Sequence, residues 1–303
     1  MRILVTGGAG FVGTNLIKQL LKDNHEVISV DNYSTGFREN HQDGCNYYDI
    51  DLSDSSWWSL SKTCYCQITC DCQIKPVDLI FNLAALARIQ PSLTNPLKTI
   101  RNNFNSALHT LEWARGNNTP VVFSGSSTFH HGLWGSPYAW SKYAGEQLCE
   151  LYNKVYDLPT AICRFYNVYG EHQLEDGAYA TVIGIFEKQY RDGKPLTVTG
   201  DGEQKRDFTH IDDIVDGLVR CGDALLGEGN SVVSGQAYEL GRGTNFSINE
   251  LADMFGKDYP KEYIPARNGE YPFTLADYTK AKGELGWNPT KDIKDYIEGA
   301  TWK

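Results

Sequence analysis

The segment that most constrains the fold is "VTGGAGFVGTNL", residues 5–16, in which glycines separate a β-rich run from a helical pattern. The letters "GAGFVG" fit G-x-G-x-x-G, and the shifted reading Gly7, Gly10 and Gly13 fits equally well. Such glycines let the backbone turn tightly and approach a pyrophosphate at the start of a helix. The segment therefore predicts a dinucleotide-binding turn.

An acidic residue follows at the distance that such a turn requires. Asp31 ends the second β-rich run, "EVISVD", roughly 20 residues after the glycines. Its carboxylate can accept hydrogen bonds from a ribose diol and would repel a 2′-phosphate. The predicted cofactor is therefore NAD rather than NADP.

The first half of the chain alternates β-rich runs with amphipathic helical patterns, which indicates a parallel sheet covered on both faces. The predicted strands are "RILVT", "EVISVD", "VDLIFNLAA", "TPVVFSG" and "TAICRFY", and the predicted helices lie near 14–23, 96–115 and 138–156. Glycine and proline are more frequent after residue 168. We expect an α/β fold with a Rossmann-type doubly wound parallel sheet in residues 1–168, rejoined by parts of 205–245. Residues 169–303 would form a smaller mixed domain that binds the substrate.

Composition narrows the class of partner. The 303 residues are 41% hydrophobic and 22% charged, and the net charge is −10. An acidic chain disfavours nucleic acid or an anionic membrane as the main partner, although a local basic pocket can still hold a phosphate. No apolar run reaches the roughly 18 residues of a membrane span. The sequence opens directly on a strand with no leader, so we expect a cytoplasmic protein.

Four cysteines cluster in "CYCQITCDC" at positions 64, 66, 70 and 72. Their spacing, C-x-C-x3-C-x-C, differs from the usual zinc sites. We predict no metal site and interpret Cys64, Cys66, Cys70 and Cys72 as thiols on a surface helix or loop.

The candidate catalytic group lies in "FSGSSTFHHGLWGSPYAWSK", residues 123–142. Tyr138 and Lys142 are four residues apart on a predicted helix and share a face. A nearby ammonium and a positive nicotinamide would favour the phenolate and lower the pKa of Tyr138. Ser126, at the end of the preceding strand, could hydrogen-bond the reacting oxygen. The three side chains together suit proton removal coupled to hydride transfer.

Together these residues resemble the extended short-chain dehydrogenase/reductase family, in particular its NAD-dependent nucleotide-sugar epimerases and dehydratases. The likeness spans nearly the whole chain and includes "TGGAGFVG", "DNYSTG", "YDIDLSD", "NLAALA", "SPYAWSK", "RFYNVYG", "GDGEQKRDFTHIDDIV" and "GEYPFTLADYTKAKGELGW". The closest pattern is that of UDP-glucose and UDP-N-acetylglucosamine 4-epimerases.

The resemblance implies a role for each matched position. Besides Tyr138 and Lys142, the expected cofactor-binding residues are Gly7, Gly10, Phe11, Val12, Gly13, Asp31, Asn32, Ser34, Thr35, Gly36, Asp51, Leu52, Leu83, Ala84, Ala85 and Asn103. The expected substrate-binding residues are Ser126, Asn167, Thr197, Arg206, Arg267, Glu270 and Thr274. Arg206 and Arg267 would grip the substrate diphosphate, because guanidinium groups pair well with phosphate; the alternative is a surface salt bridge.

The resemblance also narrows the reaction. Family dehydratases carry an Asp-Glu pair directly after the catalytic hydroxyl residue, and decarboxylases carry a glutamate at the second position. Here those positions are Ser127 and Thr128. A 4-epimerase needs only the tyrosine, serine, lysine and NAD, so we expect a 4-epimerase of UDP-hexoses or UDP-N-acetylhexosamines. The alternatives are a 4-keto-reductase, a uronic-acid epimerase, a dehydratase, or a catalytically silent NAD-binding scaffold.

Three further expectations come from the family pattern. Thr274 stands at a gate position and is small, so both plain and N-acetylated sugars should enter. The loop 129–137 is shorter than in relatives and contains His130 and His131, which are either a new acid or base or, as we expect, exposed loop residues. Relatives commonly form homodimers through the helices near 96–115 and 138–156, which predicts a homodimer.

Overall fold

A computed structural model describes residues 1–54, 74–227 and 230–300 of the chain, and its centre is a seven-stranded parallel sheet. Across the sheet the strands run β11-β6-β5-β4-β1-β2-β3. Their bounds are β1 (Arg2–Thr6), β2 (Glu26–Asp31), β3 (Cys45–Asp49), β4 (Leu79–Asn82), β5 (Val121–Ser126), β6 (Thr160–Phe165) and β11 (Gln236–Leu240). Chain order reverses between β1 and β4, and ligands of open α/β sheets bind at such a switch point.

Helices cover both faces of this sheet, and each face has its own apolar core. Leu16 and Ile17 pack with Ile214 and Leu218 on one face. On the other face Leu111 packs with Cys149. The helices are α1 (Phe11–Lys22), α2 (Ile89–Thr94), α3 (Pro96–Asn117), α4 (Thr128–His131), α5 (Pro137–Tyr156), α6 (Val182–Arg191), α7 (Ile211–Leu226), α8 (Asn230–Val233), α9 (Ile248–Phe255), α10 (Thr279–Leu285) and α11 (Ile293–Glu298). The predicted Rossmann-type α/β fold is confirmed.

Three two-stranded sheets and a third apolar core lie beside the large sheet. Phe186, Val198 and Phe255 belong to this third core. The pairs are β7 (Val168–Tyr169) with β10 (Thr209–His210), β8 (Leu196–Thr199) with β13 (Lys261–Ile264), and β9 (Lys205–Asp207) with β12 (Asn245–Ser247). Strand β11 returns from this part of the chain to the large sheet. The domain boundary at residue 168 stays a prediction.

Some element boundaries differ from those expected. Strand β3 was not predicted, because its half-buried edge position gives only a weak apolar pattern. The helix predicted near 96–115 continues through Gly116 to Asn117, and left-handed Asn118 (φ 51°) ends it. The four clustered cysteines lie in residues 55–73, outside the described residues. Within the described ranges, no helix is long and apolar enough to cross a bilayer.

The carboxylate of Asp207 holds the smaller part of the molecule together. It is fully buried at the end of β9. Its two oxygens accept backbone hydrogen bonds from Arg242 at 2.8 Å, Gly243 at 2.9 Å and Ala276 at 3.0 Å. Two segments far apart in sequence are therefore fixed to one side chain.

We predict that Asp207→Asn lowers the free energy of unfolding by about 2–3 kcal/mol, because a side-chain amide presents a donor to a backbone N–H that needs an acceptor. Urea unfolding measures this loss. The matched control is Asp216→Asn, whose exposed ion pair with Arg220 lies on α7 and should contribute less than about 1 kcal/mol. Equal losses in the two variants would show that Asp207 does not hold these segments.

Candidate active site at the carboxyl edge of the sheet

A cavity of about 480 Å³ lies along the carboxyl ends of the central strands and extends to the smaller part of the molecule. This volume suits a small-molecule site. Most of the sequence-predicted residues line it. They are Gly7, Gly10, Phe11, Val12, Gly13, Asp31, Asn32, Ser34, Thr35, Asp51, Leu52, Leu83, Ala84, Ala85, Ser126, Tyr138, Lys142, Asn167, Thr197, Arg206, Arg267 and Glu270.

Three predicted site residues lie behind the cavity wall instead. Gly36 packs on the backbone of Ala9, where a Cβ would come within 2.9 Å of the Ala9 carbonyl carbon. The Asn103 side chain accepts from Leu86 N at 2.8 Å and donates to Ser141 Oγ at 2.9 Å, which makes it a support for α5. Direct cofactor or substrate contact by these residues stays a prediction.

The third residue behind the wall is Thr274, the predicted gate. Its hydroxyl accepts hydrogen bonds from the Asn167 side chain and from Asp207 N, both at 3.1 Å. Asn167 itself lines the cavity. Thr274 therefore acts on the cavity through the orientation of Asn167.

The glycine turn is shaped to accept a phosphate. Gly7 has φ +70°, a conformation that favours glycine. A Cβ on Gly13 would lie 2.2 Å from the Gly7 carbonyl oxygen, so only glycine lets α1 start this close to the strand. A Cβ on Gly10 would meet only that oxygen, at 3.3 Å, and otherwise open space. The backbone at Gly10 is thus free to approach a pyrophosphate at the start of α1.

Asp31 is positioned for the ribose of the same dinucleotide. Its carboxylate accepts from Ala9 N at 2.9 Å and from Tyr33 N at 2.8 Å. Burial raises the pKa of Asp31, and these two N–H groups oppose that rise. Because each oxygen keeps a further lone pair, the carboxylate can still accept from a ribose diol. The glycine turn and Asp31 together fit NAD.

Two of the three predicted catalytic side chains, Tyr138 and Ser126, meet at the end of β5. The Tyr138 hydroxyl donates to Ser126 Oγ at 3.5 Å, and the same oxygen accepts from Thr128 Oγ1 at 3.0 Å. Tyr138 comes from the first turn of α5, whose start is capped by the Ser136 side chain. The strand end and the helix start are therefore brought together by the fold.

The electrostatics of Tyr138 include a cation that the sequence did not reveal. Burial raises the pKa of the phenol above its usual value, while the hydrogen bond with Ser126 and the charge of Arg88 oppose the rise. The predicted lowering of the Tyr138 pKa by Lys142 together with a bound nicotinamide stays a prediction, because in the chain alone burial outweighs the groups that oppose it. Arg88, which sequence reasoning missed, is the cation that acts on the phenol.

Lys142 is held deep in the site. Its ammonium donates to Ser124 Oγ at 3.1 Å and lies 4.8 Å from the centre of the Phe123 ring. Burial lowers the pKa of Lys142 to about 8, and Glu146 opposes this fall. The charged form therefore predominates below pH 8, where it can hold a ribose hydroxyl.

Glu146 and Arg164 form a second layer that sequence reasoning also missed. Glu146 Oε2 accepts from Arg164 Nε at 3.0 Å and Nη2 at 2.8 Å, and Oε1 accepts from Ser126 N at 3.4 Å. Burial raises the pKa of Glu146, and the Arg164 pair opposes that rise. The signal was present in the sequence, since Glu146 lies eight residues after Tyr138 on the same helical face.

The short loop after Ser126 takes an ordered form. Residues Thr128–His131 make one helical turn, and the Tyr271 hydroxyl donates to the Gly132 carbonyl at 3.0 Å. His130 Nε2 pairs with the carboxylate of Glu239 and does not line the cavity. His130 is exposed, as expected, although its ring pairs with Glu239. Its place outside the cavity disfavours a role as a new acid or base.

The opposite end of the cavity is polar. Arg206 Nη1 donates to the Tyr271 carbonyl at 2.8 Å, and Nη2 lies 3.6 Å from a carboxylate oxygen of Glu270. Arg267 and Thr197 line the same cavity. This end can bind a group that carries several negative charges.

Comparison with known proteins decides the family. The model of the NAD dependent epimerase/dehydratase family matches residues 3–241. The chain belongs to this family. It is an NAD-dependent enzyme. The family membership that the sequence resemblance predicts is confirmed.

Individual relatives cover almost the whole chain. A UDP-glucose 4-epimerase of Mycolicibacterium smegmatis is 31% identical, over 98% of this chain and 96% of the relative. The structure of a UDP-glucose 4-epimerase of Thermotoga maritima with UDP-glucose has a TM-score of 0.85 at 28% identity, covering 98% and 96% of the two chains. A UDP-glucuronic acid 4-epimerase of Bacillus cereus, in complex with UDP-glucuronic acid and NAD, has a TM-score of 0.84 at 28% identity, covering 98% and 97%.

Proposed function

We propose that this protein is a nucleotide-sugar 4-epimerase that converts UDP-hexoses or UDP-N-acetylhexosamines through a transient 4-keto sugar. The observation that carries the proposal is the contact of the Tyr138 hydroxyl with Ser126 Oγ at the cavity. The two residues that follow Ser126 in the sequence are Ser127 and Thr128 rather than residues with carboxylates. A dehydratase needs an acid at that place to remove the hydroxyl at C6. The site therefore supports hydride and proton movement at one carbon and nothing more.

The chain's own residues supply the proton chemistry. Tyr138 takes the proton of the sugar 4-hydroxyl, and Ser126 holds the same oxygen. Lys142 keeps its positive charge beside the site and stabilises the phenolate. NAD, held by the glycine turn and Asp31, would supply the hydride acceptor and donor for C4. The 4-keto sugar then rotates in the site so that its opposite face is presented. Tyr138 returns the proton to the oxygen on C4, and the hydroxyl has the opposite configuration.

The polar end of the cavity would hold the nucleotide. Arg206 and Arg267 suit a diphosphate, because guanidinium groups donate paired hydrogen bonds to phosphate oxygens. Two relatives were solved with UDP-sugars, UDP-glucose in one and UDP-glucuronic acid in the other. By likeness we propose UDP as the nucleotide.

The small gate residue Thr274 supports entry of both plain and N-acetylated sugars. A bulky aromatic side chain at this position would push against Asn167, with which Thr274 exchanges a hydrogen bond. Activity with UDP-glucose and none with UDP-N-acetylglucosamine would contradict this part of the proposal.

A product assay tests the reaction. Purified protein is incubated separately with UDP-galactose, UDP-N-acetylgalactosamine and their 4-epimers, and the products are separated by chromatography. We expect interconversion of each epimer pair. Tyr138→Phe should lower the rate by a factor on the order of 100 to 10⁴, the usual contribution of a positioned acid–base group, while the fold and the NAD content stay unchanged.

The matched control for this assay is Tyr263→Phe, which removes an exposed hydroxyl that contacts Asn249 outside the cavity. It should retain full activity. Full activity in Tyr138→Phe would refute the mechanism. Turnover of a 4-keto sugar with added NADH, without epimerisation, would favour the alternative of a keto-reductase, and NAD binding without any turnover would favour a scaffold.

We also propose a homodimer through helices α3 and α5. Four large apolar side chains are exposed on these helices, Leu97, Leu151, Val155 and Tyr156. An association surface explains exposed apolar residues on neighbouring helices.

Light scattering should give twice the chain mass, and the double variant Leu151→Asp/Val155→Asp should give the mass of one chain. The control Val232→Asp, on α8, should remain dimeric; a monomeric wild-type protein would refute the proposal.

A further inference from the structure

Tyr271 contacts both Arg206 and the short loop after Ser126, and the proposed mechanism gives it no role. Its main-chain carbonyl accepts a hydrogen bond from Arg206 Nη1 at 2.8 Å. Its hydroxyl donates to the carbonyl of Gly132 at 3.0 Å. Burial raises the pKa of the Tyr271 phenol, so the hydroxyl keeps its proton at neutral pH and remains a donor. One residue therefore links a cavity arginine to the loop that joins the catalytic strand and helix.

The Tyr271 side chain lies in a space that two glycines leave open. A Cβ on Gly132 would come within 1.5 Å of the Tyr271 hydroxyl oxygen, and a Cβ on Gly135 within 2.4 Å. Gly132 has a φ of 171°, which any residue can adopt, so the contact with Tyr271 is what requires a glycine there. Gly269 packs on the same loop, since its Cβ would lie 3.2 Å from the Gly135 carbonyl oxygen. The loop and the Tyr271 segment thus fit together closely.

Gly132 lies between the strand end that carries Ser126 and the helix start that carries Tyr138. Its N–H donates to the Thr128 carbonyl at 3.2 Å and closes turn α4. The Thr128 hydroxyl in turn contacts Ser126 Oγ at 3.0 Å. In the other direction the loop leads to Ser136, whose side chain caps helix α5. A displacement of Gly132 would therefore be passed to both catalytic hydroxyls, whose oxygens lie 3.5 Å apart.

We propose that Tyr271 is a positioning residue of the active site, which holds the loop between α4 and α5 in the place that aligns Tyr138 with Ser126. This inference rests on the proposed function, because it takes these two hydroxyls as the groups that act on the sugar oxygen. Removal of the Tyr271 hydroxyl leaves the carbonyl that contacts Arg206 in place, so nucleotide binding should change little. The loss should fall on the chemical step, because misplacing reacting groups by about 1 Å can cost about 100-fold in rate.

Steady-state kinetics of the NAD-loaded variant Tyr271→Phe with UDP-galactose test this inference. We expect kcat to fall by a factor on the order of ten, since one hydrogen bond is lost while the ring still fills its space. KM should stay within about twofold of the wild-type value, because an interaction that serves only the chemical step changes kcat and not binding.

The matched control is Tyr259→Phe. The Tyr259 hydroxyl also donates to a main-chain carbonyl, that of Lys194 at 3.0 Å, but its ring packs on the third apolar core. Urea unfolding should show similar losses of stability in the two variants. Only Tyr271→Phe should lose kcat.

The pH dependence of kcat separates alignment from a general loss of stability. The Ser126 hydrogen bond and the charge of Arg88 lower the pKa of Tyr138, whereas burial and the charge of Glu146 raise it. Weakening the Ser126 contact should therefore raise the pKa of the phenol. Because Tyr138 removes a proton in its deprotonated form, the rise of kcat with pH should move to higher pH in Tyr271→Phe. It should stay in place in the control.

Two further measurements test the contact itself. Gly132→Ala should lower kcat, because its methyl group would meet the Tyr271 hydroxyl. The same substitution in a Tyr271→Ala background should cost nothing further, since the ring that it meets is gone. Hydrogen exchange of the amides in residues 128–136 should be faster in Tyr271→Phe than in wild-type protein, and this readout does not require turnover.

The inference is overturned if Tyr271→Phe keeps the wild-type kcat, or if the control loses kcat equally. A higher KM at unchanged kcat would also overturn it, since Tyr271 would then act on the nucleotide through Arg206. If wild-type protein shows no epimerisation, the proposed function fails, and hydrogen exchange decides separately on Tyr271. Faster exchange in the variant then supports its hold on the loop, and equal exchange refutes it.

Discussion

The buried carboxylate of Glu146 ties together the parts from which the active site is built. It lies on α5, one turn beyond Lys142 and two beyond Tyr138, and it accepts hydrogen bonds from Ser126 N on β5 and from Arg164 on β6. A carboxylate buried in this way is tolerated only because both oxygens are paired. The distance between the tyrosine hydroxyl and the serine therefore depends on helix α5 keeping its position against the ends of two strands.

The parallel sheet explains why so much of the site could be predicted from the sequence. Strand ends of a parallel sheet meet at one edge, so Asp31 and Ser126 are brought to the same edge by topology alone. The glycine turn could be predicted because its close backbone contacts tolerate no side chain. Tyr138 and Lys142 follow from helical spacing. These features depend on local geometry, which a sequence pattern records directly.

What the sequence did not reveal depends on contacts between distant segments. The charge on Arg88 is plain from the sequence, but its place in the cavity lining emerges only when the surrounding chain is in place. The ordered form of the short loop depends on Tyr271, which lies more than a hundred residues away and packs against Gly132. Asn103 matched a family position, yet its bonds to Leu86 and Ser141 make it a support for α5. For the same reason the pKa of Tyr138 could not be inferred from Lys142 alone.

Different parts of the cavity lining suit different parts of the ligands, and the proposed reaction takes place at Tyr138. The glycine turn and Asp31 fit a dinucleotide, Arg206 and Arg267 suit a diphosphate, and Tyr138 lines the same cavity. The central claim is that hydride leaves C4 and returns to the same carbon. The most direct measurement follows UDP-galactose labelled with deuterium at C4, by mass spectrometry and NMR. The account predicts that the deuterium stays at C4 in both epimers; its exchange with solvent hydrogen during epimerisation would contradict that claim.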